Sequence, residues 1–177
     1  MRDLQKVFNS CIEKMDKIGI DYGNITEITV NTRAKKRLGQ CCSHFIGFSS
    51  NNKPRYTYKI NISSILLDER VPIESLENTI IHEILHTCPS CLDHGKEWKR
   101  RADKVNREYG YNIKRTVTLD ESGVSEVIIN DYERKPKYMC QCKKCGSKVS
   151  KYRMCDFVKY PQFYKCAKCG GDFVRII

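Results

Sequence analysis

The sequence predicts an α+β fold, and three features predict it. A helical periodicity occupies the first 18 residues, three β-prone runs follow, and helical periodicity returns after residue 72. The cysteine density rises after residue 137, which indicates a second, smaller β unit. A chain of 177 residues suits one domain with a small appendage. We therefore expect a first domain over residues 1–119 and a second over residues 120–177.

The first domain is expected to open with a helix and a three-stranded antiparallel sheet. Apolar residues recur every three or four positions from Leu4 to Ile18, and Gly19 is placed to end this helix. The β-prone runs cover residues 25–32, 40–48 and 56–62. An antiparallel meander is the simplest arrangement of strands joined in this way.

Two more helices and a strand complete the predicted elements. Pro72 suits the start of a helix whose apolar stripe covers residues 73–84 and which ends before Pro89. A further helix should cover about residues 94–109, and residues 124–129 are predicted to form a strand. On the helix over 94–109, the residues predicted to point inward are Trp98, Ala102, Val105 and Tyr109, and the outward basic residues are Lys96, Arg100, Lys104 and Arg107.

Composition excludes some classes of protein. The apolar runs are far shorter than the ~20 residues that a transmembrane helix needs. The charged N-terminus does not have the pattern of a secretory signal, so we expect a cytoplasmic protein without membrane contacts. In a reducing compartment, an odd set of 11 cysteines favours metal ligation over disulfides. The net charge of +11 favours nucleic acid or another anionic surface as a partner.

A catalytic zinc centre is predicted by the segment His82-Glu83-Ile84-Leu85-His86. Residues four apart on a helix share a face, so both histidines can bind one ion. Zinc in a catalytic site takes three protein ligands and leaves a position for water. Glu83, beside the first ligand, is placed to take the proton of that water, and this chemistry fits peptide hydrolysis.

The third ligand must lie beyond this helix. His94 is the leading candidate because it follows His86 by eight residues, after a turn and at the start of the next helix. Weaker alternatives are Asp93, Cys91 and Glu97. The alternative interpretation is that the two histidines are ordinary half-buried residues of a core helix. It is less favoured because the motif lies on a predicted helix with a third ligand nearby.

The run from His82 to His86, followed by His94-Gly95-Lys96-Glu97-Trp98, resembles the SprT-like family, a group of zinc metalloproteases that includes Spartan. The similarity extends to Gly39-Gln40-Cys41 and to the cysteine-rich tail. The resemblance implies a zincin-like minimal metalloprotease domain and DNA-bound or DNA-crosslinked proteins as substrates. It also implies a ligand set and a catalytic base: zinc on His82, His86 and His94, and Glu83 as the base.

Cys88 and Cys91 form a C-x-x-C pair in the loop between the candidate ligands. The simpler interpretation is a loop with two small residues near a metal. The alternative is a redox switch, in which a disulfide or a thiolate disturbs the catalytic zinc.

A structural zinc ribbon is predicted near the C-terminus. Two C-x-x-C pairs, each followed by glycine, suit four thiolates around one ion, and the predicted ligands are Cys142, Cys145, Cys166 and Cys169. Cys140 competes with Cys142 for the first position, and Cys155 is spare. We prefer Cys142 because its spacing matches that of the second pair. The protein is thus expected to hold two zinc ions, one catalytic and one structural.

Between the two pairs, basic residues alternate with aromatic ones. The rings belong to Tyr152, Phe157, Tyr160, Phe163 and Tyr164. Proteins that bind single strands combine cations for phosphates with rings for bases, so we expect single-stranded DNA as a partner. The alternative is that the rings form a small core beneath solvated lysines.

The sequence therefore predicts a zinc metalloendopeptidase that acts on DNA-bound or DNA-crosslinked proteins and binds nucleic acid through a zinc ribbon. A nucleic-acid-binding zinc protein with a structural or catalytically idle centre is the alternative. Glu83 argues against that alternative, since a structural site needs no base and fills its fourth position.

Overall fold

Helix α1 (Leu4–Lys17) forms where the periodicity predicts it, in a computed structural model that describes residues 1–34, 36–132 and 135–177. The Asp3 side chain caps the helix by accepting a hydrogen bond from the backbone N–H of Lys6 at 3.1 Å. Gly19 follows the helix with a φ of 63°, a conformation in which glycine is favoured, and this confirms its predicted role as the stop. The buried face of α1 consists of Leu4, Cys11 and Met15.

The three predicted strands form a mixed sheet. They are β1 (Asn24–Asn31), β2 (Gly39–Phe48) and β3 (Pro54–Ser63), in the order β1-β3-β2. Strand β2 pairs with β3 in antiparallel fashion, but β1 pairs with β3 in parallel, so the prediction of an antiparallel meander is wrong for β1. The central strand β3 is the most buried of the three, and its Ile60 and Ile62 are fully buried. Strand β2 is left at an edge of the sheet.

Helices α2 (Ile73–Leu85) and α3 (Lys96–Tyr109) confirm the two predicted helices. Pro72 immediately precedes α2, and Gly110 ends α3 with a φ of 70°. Trp98, Ala102 and Val105 of α3 are buried, as predicted. The core beneath both helices consists mainly of aliphatic side chains, among them Ile62, Leu66, Ile80 and Ile84.

Residues 124–129 do not form the predicted strand. The segment contains the start of helix α4 (Glu126–Tyr132) instead. Val124 and Ile128, four residues apart, are both buried in the core of the N-terminal unit. The two compact units are Met1–Tyr132 and Glu133–Ile177, so the first unit extends past residue 119.

The second unit is a small antiparallel sheet with one short helix. Its strands are β4 (Tyr138–Cys142), β5 (Lys148–Lys151) and β6 (Phe173–Arg175), in the order β5-β4-β6, and its helix is α5 (Asp156–Lys159). The buried cluster contains three cysteines and Phe173. Such a small core supplies little burial energy, which is the situation in which a bound metal provides the stability of a domain.

In the described ranges of both units, no helix combines the length and the apolar character that crossing a membrane requires.

Candidate metal centre

Three histidine rings meet at the C-terminal end of α2. His82 lies in the last turn of this helix, His86 is its C-terminal cap, and His94 lies two residues before α3. The Nε2 atom of His82 is 3.3 Å from Nε2 of His86 and 3.0 Å from Nε2 of His94. The helix spacing thus juxtaposes the first two rings, and the turn before α3 adds the third.

Two backbone carbonyls orient these rings. Nδ1 of His82 lies 3.0 Å from the carbonyl oxygen of Lys114, and Nδ1 of His86 lies 3.0 Å from that of Cys91. A carbonyl can only accept, so each Nδ1 must carry the proton. In the neutral rings, each Nε2 then presents a lone pair to the other, and two lone pairs at 3.3 Å repel unless a cation lies between them. This donor set therefore fits a shared metal ion.

The spacing of the nitrogen atoms suits zinc. Zinc binds histidine nitrogen at about 2.0–2.1 Å, which places two tetrahedral ligands roughly 3.3 Å apart. The observed separations of 3.0 and 3.3 Å agree with that value. All three ligand atoms lie within 4.8 Å of one another. The structure thus brings together the three histidines that the sequence predicts as ligands.

The indole of Trp98 lies against all three imidazoles. Its ring centroid is 4.8 Å from that of His82 and 4.7 Å from that of His94. Trp98 itself is almost completely buried. Burial, together with the neighbouring histidines, lowers the pKa of His82 to about 4, so this ring is neutral at neutral pH. The neutral ring is the form that binds a metal.

Glu83 is buried beside this cluster and is held by strand β2. The backbone N–H of Cys41 faces its carboxylate and favours the charged form. Gly39 approaches it so closely that a Cβ atom there would lie 2.5 Å from Oε1 of Glu83. Burial raises the pKa of Glu83 to about 7, and the Cys41 N–H and the guanidinium of Arg37 oppose this rise. The edge strand thus fixes the position of the one acidic group in the motif.

The alternative third ligands have other roles in the structure. Asp93 accepts a hydrogen bond from the backbone N–H of Gly95 at 3.1 Å and so shapes the turn before α3. Glu97 forms an ion pair with Arg100 at 2.9 Å. Cys91 contributes its carbonyl oxygen to the orientation of His86 and belongs to no cluster of candidate ligand atoms among the described residues.

Cys88 and Cys91 are buried in the loop between the ligands, with 2% and 0% of their surfaces exposed. Burial raises the pKa of the Cys88 thiol to about 12, although the nearby Arg101 guanidinium acts in the opposite direction. The thiolate is the reactive form of cysteine, so this environment favours packing as the role of the pair over a redox switch.

The metal centre opens on two sides. A cleft of 330 Å³ is lined by His82, Glu83 and His86 together with Ser43, Tyr58 and Leu92. A second pocket, of 260 Å³, also reaches His82 and Glu83 but extends toward Arg37 and Arg115. Gly39 borders both. A chain that passes along the centre can therefore occupy the cleft and the pocket at once.

A second group of candidate ligands lies in the second unit. Its members are Cys142, Cys145, Cys166 and Cys169, whose sulfur atoms lie within 4.8 Å of one another. The shortest separations are 3.5 and 3.6 Å, near the roughly 3.8 Å expected for tetrahedral zinc thiolates. Gly146 and Gly170 follow the pairs with φ values of 73° and 68°, as a tight turn requires. The cluster contains Cys142 and not Cys140, which is buried in β4.

The aromatic residues of the second unit divide into two groups. Phe157 packs edge-on against Phe173 at 5.2 Å and belongs to the small core. The exposed rings are Tyr152, Tyr160, Phe163 and Tyr164, and Phe163 is 77% exposed. With twelve basic and three acidic residues, residues 133–177 carry +9 of the net charge of +11. Most of the rings thus lie on a cationic surface, and one forms the core.

Sequence reasoning missed the main-chain atoms of the site. The carbonyl groups of Lys114 and Cys91 and the N–H of Cys41 leave no signature in side-chain chemistry. Gly39 was recognisable only through the family resemblance. The positions of the ligands were accessible from spacing, whereas their supports depend on loop geometry.

A comparison with known families indicates a metalloprotease-type domain. The sequence profile of the SprT-like family matches residues 8–118, which include most of α1, the mixed sheet and the three histidines. The chain belongs to the SprT-like family, whose members are generally zinc metalloproteases. No curated protein and no solved structure matches the chain.

Proposed function

We propose that the protein is a zinc-dependent metalloendopeptidase in which His82, His86 and His94 hold the metal and Glu83 is the catalytic base. The observation that supports this proposal most strongly is the convergence of three Nε2 atoms beside a buried carboxylate, with backbone carbonyls placing the proton on Nδ1 in two of the three rings. A structural site would fill a fourth position, and no fourth protein ligand belongs to this cluster among the described residues.

A zinc ion at this centre would supply Lewis-acid activation of water and of the peptide carbonyl. Glu83 would accept the proton of the attacking water and pass it to the leaving nitrogen. Gly39 and the Cys41 N–H keep its carboxylate in one place, so little reorganisation precedes proton transfer. Trp98 closes one side of the histidine cluster and limits the access of bulk water there.

Strand β2 is suited to bind a substrate backbone. It pairs with β3 on one side only, and the N–H of Cys41 points away from β3 toward Glu83. Because hydrogen-bonding directions alternate along a strand, the N–H of Ser43 faces the same side. Ser43 also lines the cleft. An extended polypeptide added along this edge would therefore pass beside the catalytic base.

The test of the catalytic proposal compares zinc-loaded wild type with Glu83→Gln on an unstructured protein. The amide preserves the shape but cannot act as a base, so we expect cleavage to fall by at least ~10²–10⁴-fold with unchanged zinc content. Glu97→Gln is the matched control because Glu97 is a nearby acid outside the cluster, and it should cleave normally. Normal cleavage by Glu83→Gln would refute the role of Glu83 as the base. Absence of cleavage by the zinc-loaded wild type would favour the idle-centre alternative.

We further propose that the second unit binds single-stranded DNA and that the substrates are DNA-bound or DNA-crosslinked proteins. Four exposed rings and a net charge of +9 support this proposal. Exposed Lys96, Arg100, Lys104 and Arg107 give α3 a basic face of its own. Phosphate contacts release counterions, so log K should fall by roughly 0.7 per contact with each tenfold rise in salt.

Anisotropy of a labelled oligonucleotide over a salt series tests the DNA proposal. The full chain should show a steep salt dependence and a residual affinity from stacking at high salt. Absence of binding at low salt would remove DNA from the mechanism and leave the peptidase proposal intact.

A further inference from the structure

The 260 Å³ pocket beside Glu83 has a cationic rim that the catalytic proposal does not use. Apart from His82 and Glu83, the ionisable groups that line it are Lys36, Arg37, Lys114, Arg115 and Glu121. Glu121 is already engaged, because it accepts a hydrogen bond from the Thr118 N–H at 2.9 Å and lies 3.6 Å from the Lys114 ammonium. The described residues provide no ion-pair partner for the other three cations.

The two sides of the metal centre therefore differ in character. The cleft presents Tyr58, Leu92 and Cys41, whereas the pocket presents three unpaired cations. Gly39 and Glu83 border both, so a polypeptide that lies along β2 would have its residues on one side of the scissile bond at the cationic rim. The pocket is smaller than the ~300–1,000 Å³ of typical small-molecule sites, and this size suits a single side chain.

We propose that this pocket is a specificity subsite that receives an acidic side chain of the polypeptide, adjacent to the bond that is cleaved. The inference rests on the proposed peptidase function and names the kind of substrate that it favours. The guanidinium groups of Arg37 and Arg115 can bind a carboxylate through charge-assisted hydrogen bonds. A lysine or arginine at the same substrate position is disfavoured by like charge.

The test uses binding, so it does not depend on turnover. Two libraries of short fluorescent peptides are identical except that one position is Glu in the first and Gln in the second, with uncharged residues elsewhere. They are titrated against the full-length, zinc-loaded Glu83→Gln variant. We expect the Glu library to bind roughly tenfold more tightly than the Gln library, because three partly screened cations attract its carboxylate. This preference should shrink as salt rises.

Substitutions at Arg115 locate the effect. In the same Glu83→Gln background, Arg115→Gln should reduce the preference for the Glu library, and Arg115→Glu should shift it toward a matching Lys library. Arg55→Gln is the control, since Arg55 is an exposed cation of the same unit that does not line the pocket. It should leave the preference unchanged.

The outcomes separate the two proposals. Equal binding of the Glu and Gln libraries, or a preference unaffected by Arg115→Gln, would overturn the subsite. A preference that depends on Arg115, in a protein whose wild type cleaves neither library, would support binding of an acidic side chain in the pocket and contradict the peptidase function. If Arg115→Gln weakened binding of an oligonucleotide but not of the Glu library, the cations of the pocket would bind nucleic acid. The acidic-peptide proposal would then be wrong.

Discussion

Gly39→Ala is expected to displace the Glu83 carboxylate, the proposed catalytic base, without removing any chemical group from the site. The added Cβ atom would lie 2.5 Å from Oε1 and 2.8 Å from Cγ of Glu83. Gly39 has no left-handed backbone conformation, so alanine meets no backbone strain there. The whole effect of the substitution therefore comes from this contact.

The distances set the magnitude. Ordinary contact begins at 3.4 Å, so Oε1 of Glu83 must move by about 0.9 Å. The new methyl group cannot relieve this contact by shifting toward Thr79, since it would also lie 2.8 Å from the Cγ2 atom of Thr79. A displacement of about 1 Å can reduce catalysis ~10²-fold. We also expect overpacking to lower the free energy of unfolding by roughly 1–3 kcal/mol.

Peptide cleavage and zinc content, measured on the same preparation, provide the assay. Cleavage by Gly39→Ala should fall about 10²-fold while the zinc content stays at the wild-type value, because no histidine moves. Adding Thr79→Ser removes the obstructing methyl group but keeps the hydroxyl that donates to the Ser75 carbonyl at 2.8 Å. The double variant should recover part of the activity.

If Gly39→Ala cleaves at the wild-type rate, the claim that strand β2 positions the base is refuted. Loss of zinc in parallel with activity would also contradict it, since the defect would then lie in the ligands. His44→Ala, at an exposed position of the same strand that lines neither cavity, controls for general weakening of β2 and should cleave normally.

Five further substitutions test the metal sites and the second unit. His94→Ala should lose the zinc of the histidine centre and keep that of the cysteine cluster, so elemental analysis should fall from two zinc ions per chain to one. Cys142→Ser should lose the other zinc, whereas Cys140→Ser should retain both; the reverse result would exchange the roles of these two thiols. Phe163→Ala should weaken single-stranded DNA binding by roughly 1–3 kcal/mol at unchanged stability, because its ring is exposed. Phe157→Ala should instead lower the melting temperature, and equal effects of the two substitutions on DNA affinity would contradict this division.

The helix that carries the motif was predictable because two signals agreed there. Helical periodicity over residues 73–84 and the four-residue spacing of the histidines both favour a helix, and α2 lies there. His94 was predictable as the third ligand because it lies close to His86 in sequence. The turn that Asp93 shapes brings the His94 ring to the other two. The candidate zinc ligands and the candidate base are thus close in sequence, so patterns within a short segment are enough to predict them.

The sheet was harder to predict because pairing is not a local property. Alternation marks each strand, and the hairpin joins β2 to β3, but neither fixes which edge of β3 receives β1. The segment over 124–129 shows a related ambiguity. A short apolar run fits either a strand or a helix, and burial of Val124 and Ile128 on one side decides for the helix.

Zinc-dependent cleavage by the full-length protein tests the central claim most directly. Metal is removed with a chelator, zinc is added back in steps, and cleavage of an unstructured protein is followed together with the bound zinc. We expect no cleavage by the metal-free protein. Cleavage should recover as zinc binds at the three histidines. His94→Ala should stay inactive even when its cysteine cluster holds zinc. Cleavage by the metal-free chain, or full activity of zinc-loaded His94→Ala, would contradict the assignment of His82, His86 and His94 as the catalytic metal site.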